Sequence, residues 1–239
     1  MSETEKKVAL VTGASRGIGR AVALALAQNG WRVVATARAQ KALEALDDEI
    51  RKLGGEATLV PMDLKDYDGI DRLGAALYER FGRLDGLAAC AGVLGDLTPV
   101  AQGKPPMLAE VYGTNLIANH RLIRSMDPLL RAAPAARAVF VTSNTAQTTR
   151  AFWGAYAASK AGLEALVKVY AQEVAITPIR VNLINPGPTR TAMRYKAYPG
   201  EDPEKQTPPE EIAKLFVELM SADCALNGEV VKFERAPAH

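Results

Sequence analysis

The sequence predicts an α/β fold, a parallel sheet covered by helices on both faces. Short apolar runs alternate with longer helical segments along the whole chain. The runs are continuously apolar rather than alternating, the pattern of strands buried on both sides. No internal repeat, low-complexity tract or interdomain linker interrupts the rhythm, so residues 1–239 read as one domain.

Residues 7–12 read as a short buried strand, followed by a glycine-rich turn and an apolar-periodic helix that stops at Asn29-Gly30. A second strand is expected over 32–36 and a helix over 40–53, closed by Gly54-Gly55. Residues 56–61 are a third strand and 67–81 a helix; residues 84–89 are a fourth strand. A loop carrying Pro99, Pro105 and Pro106 leads into one long helix over 107–131. Residues 137–142 form a fifth strand, 153–176 a long alanine-rich helix and 179–184 a sixth strand. A helix over 209–221 and a strand over 228–233 close the chain. The stretch 187–208 is the least element-like, with Pro188, Pro199, Pro203 and Pro208 among mixed charges. It reads as a surface loop or as a lid.

Composition excludes several classes of function. A net charge of +2, from 29 basic and 27 acidic residues, makes no electrostatic case for nucleic acid. No apolar run reaches the roughly 18 residues of a membrane span, and the polar start Met1–Lys7 does not read as a signal peptide. Cys90 and Cys224 make no disulfide framework, and two histidines, His120 and His239, leave no histidine-rich metal site. A cytoplasmic, reduced protein without a metal is expected.

The first glycine cluster, Thr12-Gly13-x-x-x-Gly17-x-Gly19, sits between a strand and a helix. Its glycines permit a tight turn and the approach of a pyrophosphate to backbone N–H groups at a helix N-terminus. A strand that binds NAD usually ends in an acid for the ribose 2′-hydroxyl. Residues 35–39 hold none; Arg38 follows the strand and Arg16 lies inside the glycine turn. Two guanidinium groups there suit a 2′-phosphate, hence NADP.

Tyr156 and Lys160 lie four residues apart near the start of the 153–176 helix, on one face. An ammonium beside a phenol favours the phenolate, so the tyrosine pKa is expected below its usual ~10. Such a tyrosine can donate or accept a proton near neutral pH. Ser143 stands thirteen residues before it, and Phe152-Trp153 is open to three readings: pocket wall, core or subunit contact.

The glycine cluster, Ser143, Tyr156-x-x-x-Lys160 and Asn185-Pro186-Gly187 together resemble the short-chain dehydrogenase/reductase family, in its compact single-domain branch. The resemblance covers nearly the whole chain, in order and spacing. It implies a doubly wound, seven-stranded parallel sheet, a Rossmann fold with strand order 3-2-1-4-5-6-7. It implies Ser143, Tyr156 and Lys160 as catalytic residues, with Asn115 as a fourth that holds a relay water beside the lysine. Cofactor contacts are implied at Gly13, Ser15, Arg16, Gly17, Ile18 and Gly19, and at Arg38, Asp63 and Leu64. Further contacts are implied at Ala91, Gly92, Tyr156, Lys160, Pro186, Gly187 and Thr189, with Thr191 on the nicotinamide carboxamide. One departure stands out: Ala89-Cys90-Ala91-Gly92 replaces the usual Asn-Asn-Ala-Gly, and Cys90 reads as a small buried apolar residue.

The expected activity is NADPH-dependent interconversion of a small-molecule carbonyl and a secondary alcohol, by a homodimer or homotetramer. A 3-oxoacyl carrier-protein reductase is the alternative within enzymes. A nucleotide-binding regulator without turnover is the alternative outside them. Retention of Ser143, Tyr156, Lys160 and Asn115 speaks against the regulator, since a pure sensor needs no proton relay; fold alone does not decide between them.

Overall fold

A computed structural model of the protein describes residues 6–234; the N-terminal reading of residues 1–5 and His239 lie outside them. Seven parallel strands form one sheet in the order β3-β2-β1-β4-β5-β6-β7, as the resemblance implied. The strands are β1 Val8–Thr12, β2 Arg32–Ala37, β3 Glu56–Pro61, β4 Gly86–Ala89, β5 Arg137–Val141, β6 Arg180–Asn185 and β7 Val230–Lys232. Their register runs Leu10 opposite Val34 and Leu87, Ala88 opposite Val139, and Phe140 opposite Leu183.

Because side chains alternate along a strand, each strand feeds both cores. Leu10, Leu87, Phe140 and Leu183 point into one layer. They meet Ile70 of α3 (Tyr67–Phe81), Leu122 and Met126 of α5 (Ala118–Ala132), and Leu163 and Val167 of α6 (Gly154–Glu173). Ala9, Val11, Val139 and Ile184 point the other way. There they meet Leu26 of α1 (Gly17–Gln28), Leu46 of α2 (Gln40–Lys52) and Phe216 of α8 (Pro209–Leu219). Burial on both faces is what the continuously apolar runs encode.

The reversal of strand order between β1 and β4 opens a crevice at the C-terminal edge of the sheet, where ligands of such folds bind. Helix α6 aims its first turns there. Tyr156, Lys160, Leu163 and Val167 follow one stripe, and the latter two are almost wholly buried. Each buried aliphatic side chain stabilises by about 1.5–3 kcal/mol. Packing of the inner turns thus fixes the rotation that presents Tyr156 and Lys160.

Three readings of the sequence need correction. The helix expected over 107–131 is present from Pro105 to Ala132, but it is not a regular α-helix throughout. It runs as α4 (Pro105–Tyr112), a π turn over Gly113–Ile117, and α5. In the π turn the Ala118 N–H reaches back five residues to Gly113 O. The fourth strand begins at Gly86 rather than at 84, because the Asp85 carboxylate accepts from Val8 N at 2.9 Å and acts as an end cap for the sheet. The stretch 187–208 is not featureless. It contains α7 (Ala192–Ala197) and a 3₁₀ turn over Pro203–Lys205. Its ends are pinned by Arg190 N to Thr207 O at 2.8 Å and Thr207 N to Pro188 O at 2.9 Å. Thr191 caps α7 by accepting from Arg194 N at 3.2 Å, and Arg194 forks onto Glu201. These side-chain bonds, not apolar periodicity, hold the segment, so a periodicity search passes it over.

Candidate active site

A cavity of about 1180 Å³ occupies the crevice. Pockets for a single small ligand usually span ~300–1,000 Å³, so this one has room for a dinucleotide with a substrate beside it. All the cofactor residues expected from the sequence line it. Gly13, Ser15, Arg16, Gly17, Ile18 and Gly19 form one end, with Arg38, Asp63 and Leu64 beside them. Ala91 and Gly92 line the floor, and Pro186, Gly187, Thr189 and Thr191 the far wall. Ser143, Tyr156 and Lys160 also face it, but Asn115 does not.

The glycine turn leaves no room for side chains. Gly13 has φ +68°, and a Cβ there would stand 2.9 Å from Ala91 Cα. A Cβ on Gly19 would stand 2.4 Å from Gly13 O. The first turn of α1 has no side-chain cap and no acidic residue, which leaves its N–H groups directed at the cavity. At the end of β2 the Thr36 hydroxyl is buried without a hydrogen-bond partner. Arg38 lies 4.0 Å from Asp63 and 3.8 Å from Glu110, with its side chain mostly in solvent. An uncapped helix end, a Cβ-free cradle and an orphan hydroxyl fit a pyridine dinucleotide with its pyrophosphate on α1.

Ser143 follows β5 and accepts from Thr145 N at 3.3 Å and Thr145 Oγ1 at 3.0 Å. Beneath it, the buried Glu164 of α6 accepts from Thr142 Oγ1 at 2.8 Å and Gln147 Nε2 at 3.3 Å. This carboxylate grips the serine loop from both sides, a role that spacing alone does not reveal. Tyr156 is buried at the cavity wall. Burial pushes its phenol up to about 12, and a hydrogen bond with Ser143 opposes the rise.

The expected lowering by Lys160 is therefore not present in the protein alone. The ammonium lies 5.8 Å from the Tyr156 ring centroid and donates to Val141 O at 2.8 Å. Desolvation dominates both groups and brings the lysine down to about 8. Helical spacing placed them on one face, as expected, but the lysine ammonium is bonded to the sheet.

Asn115 is fully buried in the π turn. Its Oδ1 accepts from Val93 N at 2.8 Å, and its Nδ2 donates to Val93 O at 2.9 Å and Ser159 Oγ at 3.0 Å. Both amide donors are thereby engaged, and the side chain ties a cavity loop to α6. Cys90 is half-buried in the cavity wall, and burial pushes its thiol up, which favours the protonated form. His120 is exposed on α5 and does not line the cavity.

The other side of the cavity is aromatic. Trp153 meets Tyr156 edge-on with ring centroids 5.9 Å apart, and meets Tyr198 at 5.8 Å. Leu94, Met193 and Ala197 complete the wall. Of the pair Phe152-Trp153, only the tryptophan lines the cavity; Phe152 is exposed.

The comparison with known proteins agrees with this geometry. The short chain dehydrogenase family model matches residues 7–202. The chain is 37% identical over 220 residues to the oxidoreductase YciK of Escherichia coli K12, across 91% of this chain and 87% of the relative. It is 34% identical over 194 residues to a 3-oxoacyl-[acyl-carrier-protein] reductase of Synechocystis sp., across 81% of this chain and 78% of that protein. A short chain dehydrogenase of Shigella flexneri 2a, solved in complex with NADP, superposes with a TM-score of 0.90 at 35% identity, covering 95% of this chain and 96% of that one. With a seven-stranded doubly wound sheet and a serine, tyrosine and lysine on one crevice, this chain is an oxidoreductase of the short-chain dehydrogenase family.

Proposed function

We propose that the protein is an NADPH-dependent carbonyl reductase, or the corresponding alcohol dehydrogenase, acting on a small molecule. One observation carries the reading: Ser143, Tyr156 and Lys160 face the same cavity whose other end is the glycine turn with Arg16. The absence of an acid after β2, the placement of Arg16 and Arg38 on the cavity, and the NADP-bound relative support the phosphorylated cofactor.

The glycine turn with Arg16 and Arg38 would hold NADPH, which would supply the hydride for the carbonyl carbon. Tyr156, whose burial favours the protonated phenol, delivers a proton to the carbonyl oxygen. Ser143 donates to the same oxygen and orients it. Lys160 donates to Val141 O, and its remaining ammonium hydrogens would be available to the ribose of a bound nicotinamide nucleotide. Asn115 acts as a positioning residue, holding the Val93 loop against α6.

Oxidation of NADPH over a panel of aldehydes and ketones, followed by absorbance, tests the reading. Turnover that disappears in Tyr156→Phe supports it; no turnover with any member of the panel contradicts it. The Synechocystis relative makes carrier-bound 3-oxoacyl groups the second reading. It gains if carrier-bound substrate is reduced faster than the free acyl compound. The long helices α5 and α6 suit assembly into a homodimer or homotetramer, so light scattering should give a multiple of the 25.6 kDa chain.

A further inference from the structure

The cations around the cavity are almost all matched. Arg190 donates to Glu204 at 2.8 Å, Arg194 forks onto Glu201 at 2.5 and 2.6 Å, and Lys196 reaches Gly95 O at 2.7 Å and Asp96 at 3.4 Å. Arg16 belongs to the dinucleotide end and Lys160 to the proton path. Arg150 differs. It lines the cavity on the substrate side, and no carboxylate among the described residues pairs with it.

Arg150 is nevertheless held in place. Its guanidinium donates to the Tyr198 hydroxyl and lies 5.1 Å from the centroid of that ring. Tyr198 packs on Trp153, and Trp153 packs on Tyr156. A continuous aromatic wall therefore runs from the phenol to a guanidinium with donors to spare. The turn that aims Arg150 and Trp153 into this wall is strained: Phe152 has φ +73°, a conformation that bulky residues rarely adopt. It is fixed by Trp153 N to Arg150 O at 3.2 Å and Thr98 N to Phe152 O at 3.1 Å.

We propose that the substrate is a carbonyl compound with an apolar, preferably aromatic body and one carboxylate. The carbonyl lies at Ser143 and Tyr156, the body along Trp153 and Tyr198, and the carboxylate on Arg150. This deepens the reductase reading and rests on it. A monoanion is the matching partner because Arg150 offers one uncompensated charge; the neighbouring Arg194 and Lys196 are already paired. A phosphate dianion would leave charge unmatched.

The test uses the enzyme with NADPH and two acid–ester pairs: 4-formylbenzoate and 4′-formylbiphenyl-4-carboxylate, each against its methyl ester. For the pair that fits, kcat/KM for the acid should exceed that for the ester by at least about tenfold, as a charge-assisted bond implies. The ratio should collapse toward one in Arg150→Gln, mainly through KM, and recover in part in Arg150→Lys. Calorimetry with biphenyl-4-carboxylate and biphenyl-4-carboxamide, neither of which can be reduced, reads the subsite without turnover. Reduction of the aldehydes with no acid preference, or a preference that Arg150→Gln leaves intact, overturns the carboxylate subsite and leaves the reductase reading standing. Preferential, Arg150-dependent binding of the acid without reduction of these aldehydes or of any member of the carbonyl panel keeps the subsite and overturns the reductase reading. Neither discrimination nor reduction overturns both.

Discussion

Asn115 Nδ2 donates to Ser159 Oγ at 3.0 Å, and this bond joins the π turn to the helix that carries Tyr156 and Lys160. Ser159 in turn donates to Tyr156 O at 2.7 Å. The same amide holds both backbone groups of Val93. Asn115→Ala would leave these buried groups without partners, at about 1–3 kcal/mol for each one that finds no other partner. The expected loss of stability is on the order of 2–4 kcal/mol, read as a lower urea midpoint with an unchanged slope. An unchanged midpoint would show that the tie is not structural.

Cofactor choice follows from Arg16 and Arg38. Removing one charge-assisted contact to a 2′-phosphate should cost about 1.5–3 kcal/mol. Arg38→Ala should therefore weaken NADPH roughly ten- to hundredfold and leave NADH affinity nearly unchanged. Fluorescence titration of both cofactors measures this. Equal affinities of the wild type for the two would contradict the assignment.

Lys160 makes stability depend on pH. Its ammonium is buried, and its pKa falls from the usual 10.5 to about 8 in the folded protein. Between those values the unfolded chain binds more protons, so stability from this group rises with pH across that window. It is lost as pH falls through about 8. Tyr156 acts oppositely: its pKa rises from 10 to about 12, so its contribution is present below pH 10 and lost as pH rises toward 12. Lys160→Met should stabilise the cofactor-free protein near neutral pH by about 1–2 kcal/mol after loss of the bond to Val141 O, read as a higher melting temperature. The gain should fade between pH 8 and 10.5. A gain independent of pH across this range would contradict the burial of the charge.

The fold was legible because its determinants are local. Val8–Thr12 and Arg137–Val141 are apolar runs whose neighbours are fixed by layer packing. The glycine turn was legible because Gly13 and Gly19 answer to steric limits within a few residues or across one strand. What stayed hidden depends on contacts between distant parts of the chain. The π turn is stabilised by Asn115 reaching Val93, and the wall of the substrate side joins Arg150 to Tyr198, forty-eight residues away. The direction of the Tyr156 shift escapes the sequence for a similar reason. Helical spacing reports that Lys160 shares its face, while the Val141 carbonyl and the depth of burial set the charge balance.

Whether the Tyr156 hydroxyl carries the proton is read from Tyr156→Phe. The substitution keeps the ring, so its contact with Trp153 and the binding of NADPH should survive. With a substrate turned over by the wild type, the account predicts a loss of at least ~10³ in kcat, in the upper part of the range for general acid–base groups. NADPH affinity should stay within about twofold, below the ~1.4 kcal/mol that a tenfold change represents. A variant that retains most of the wild-type rate would contradict the account and move the proton donor elsewhere.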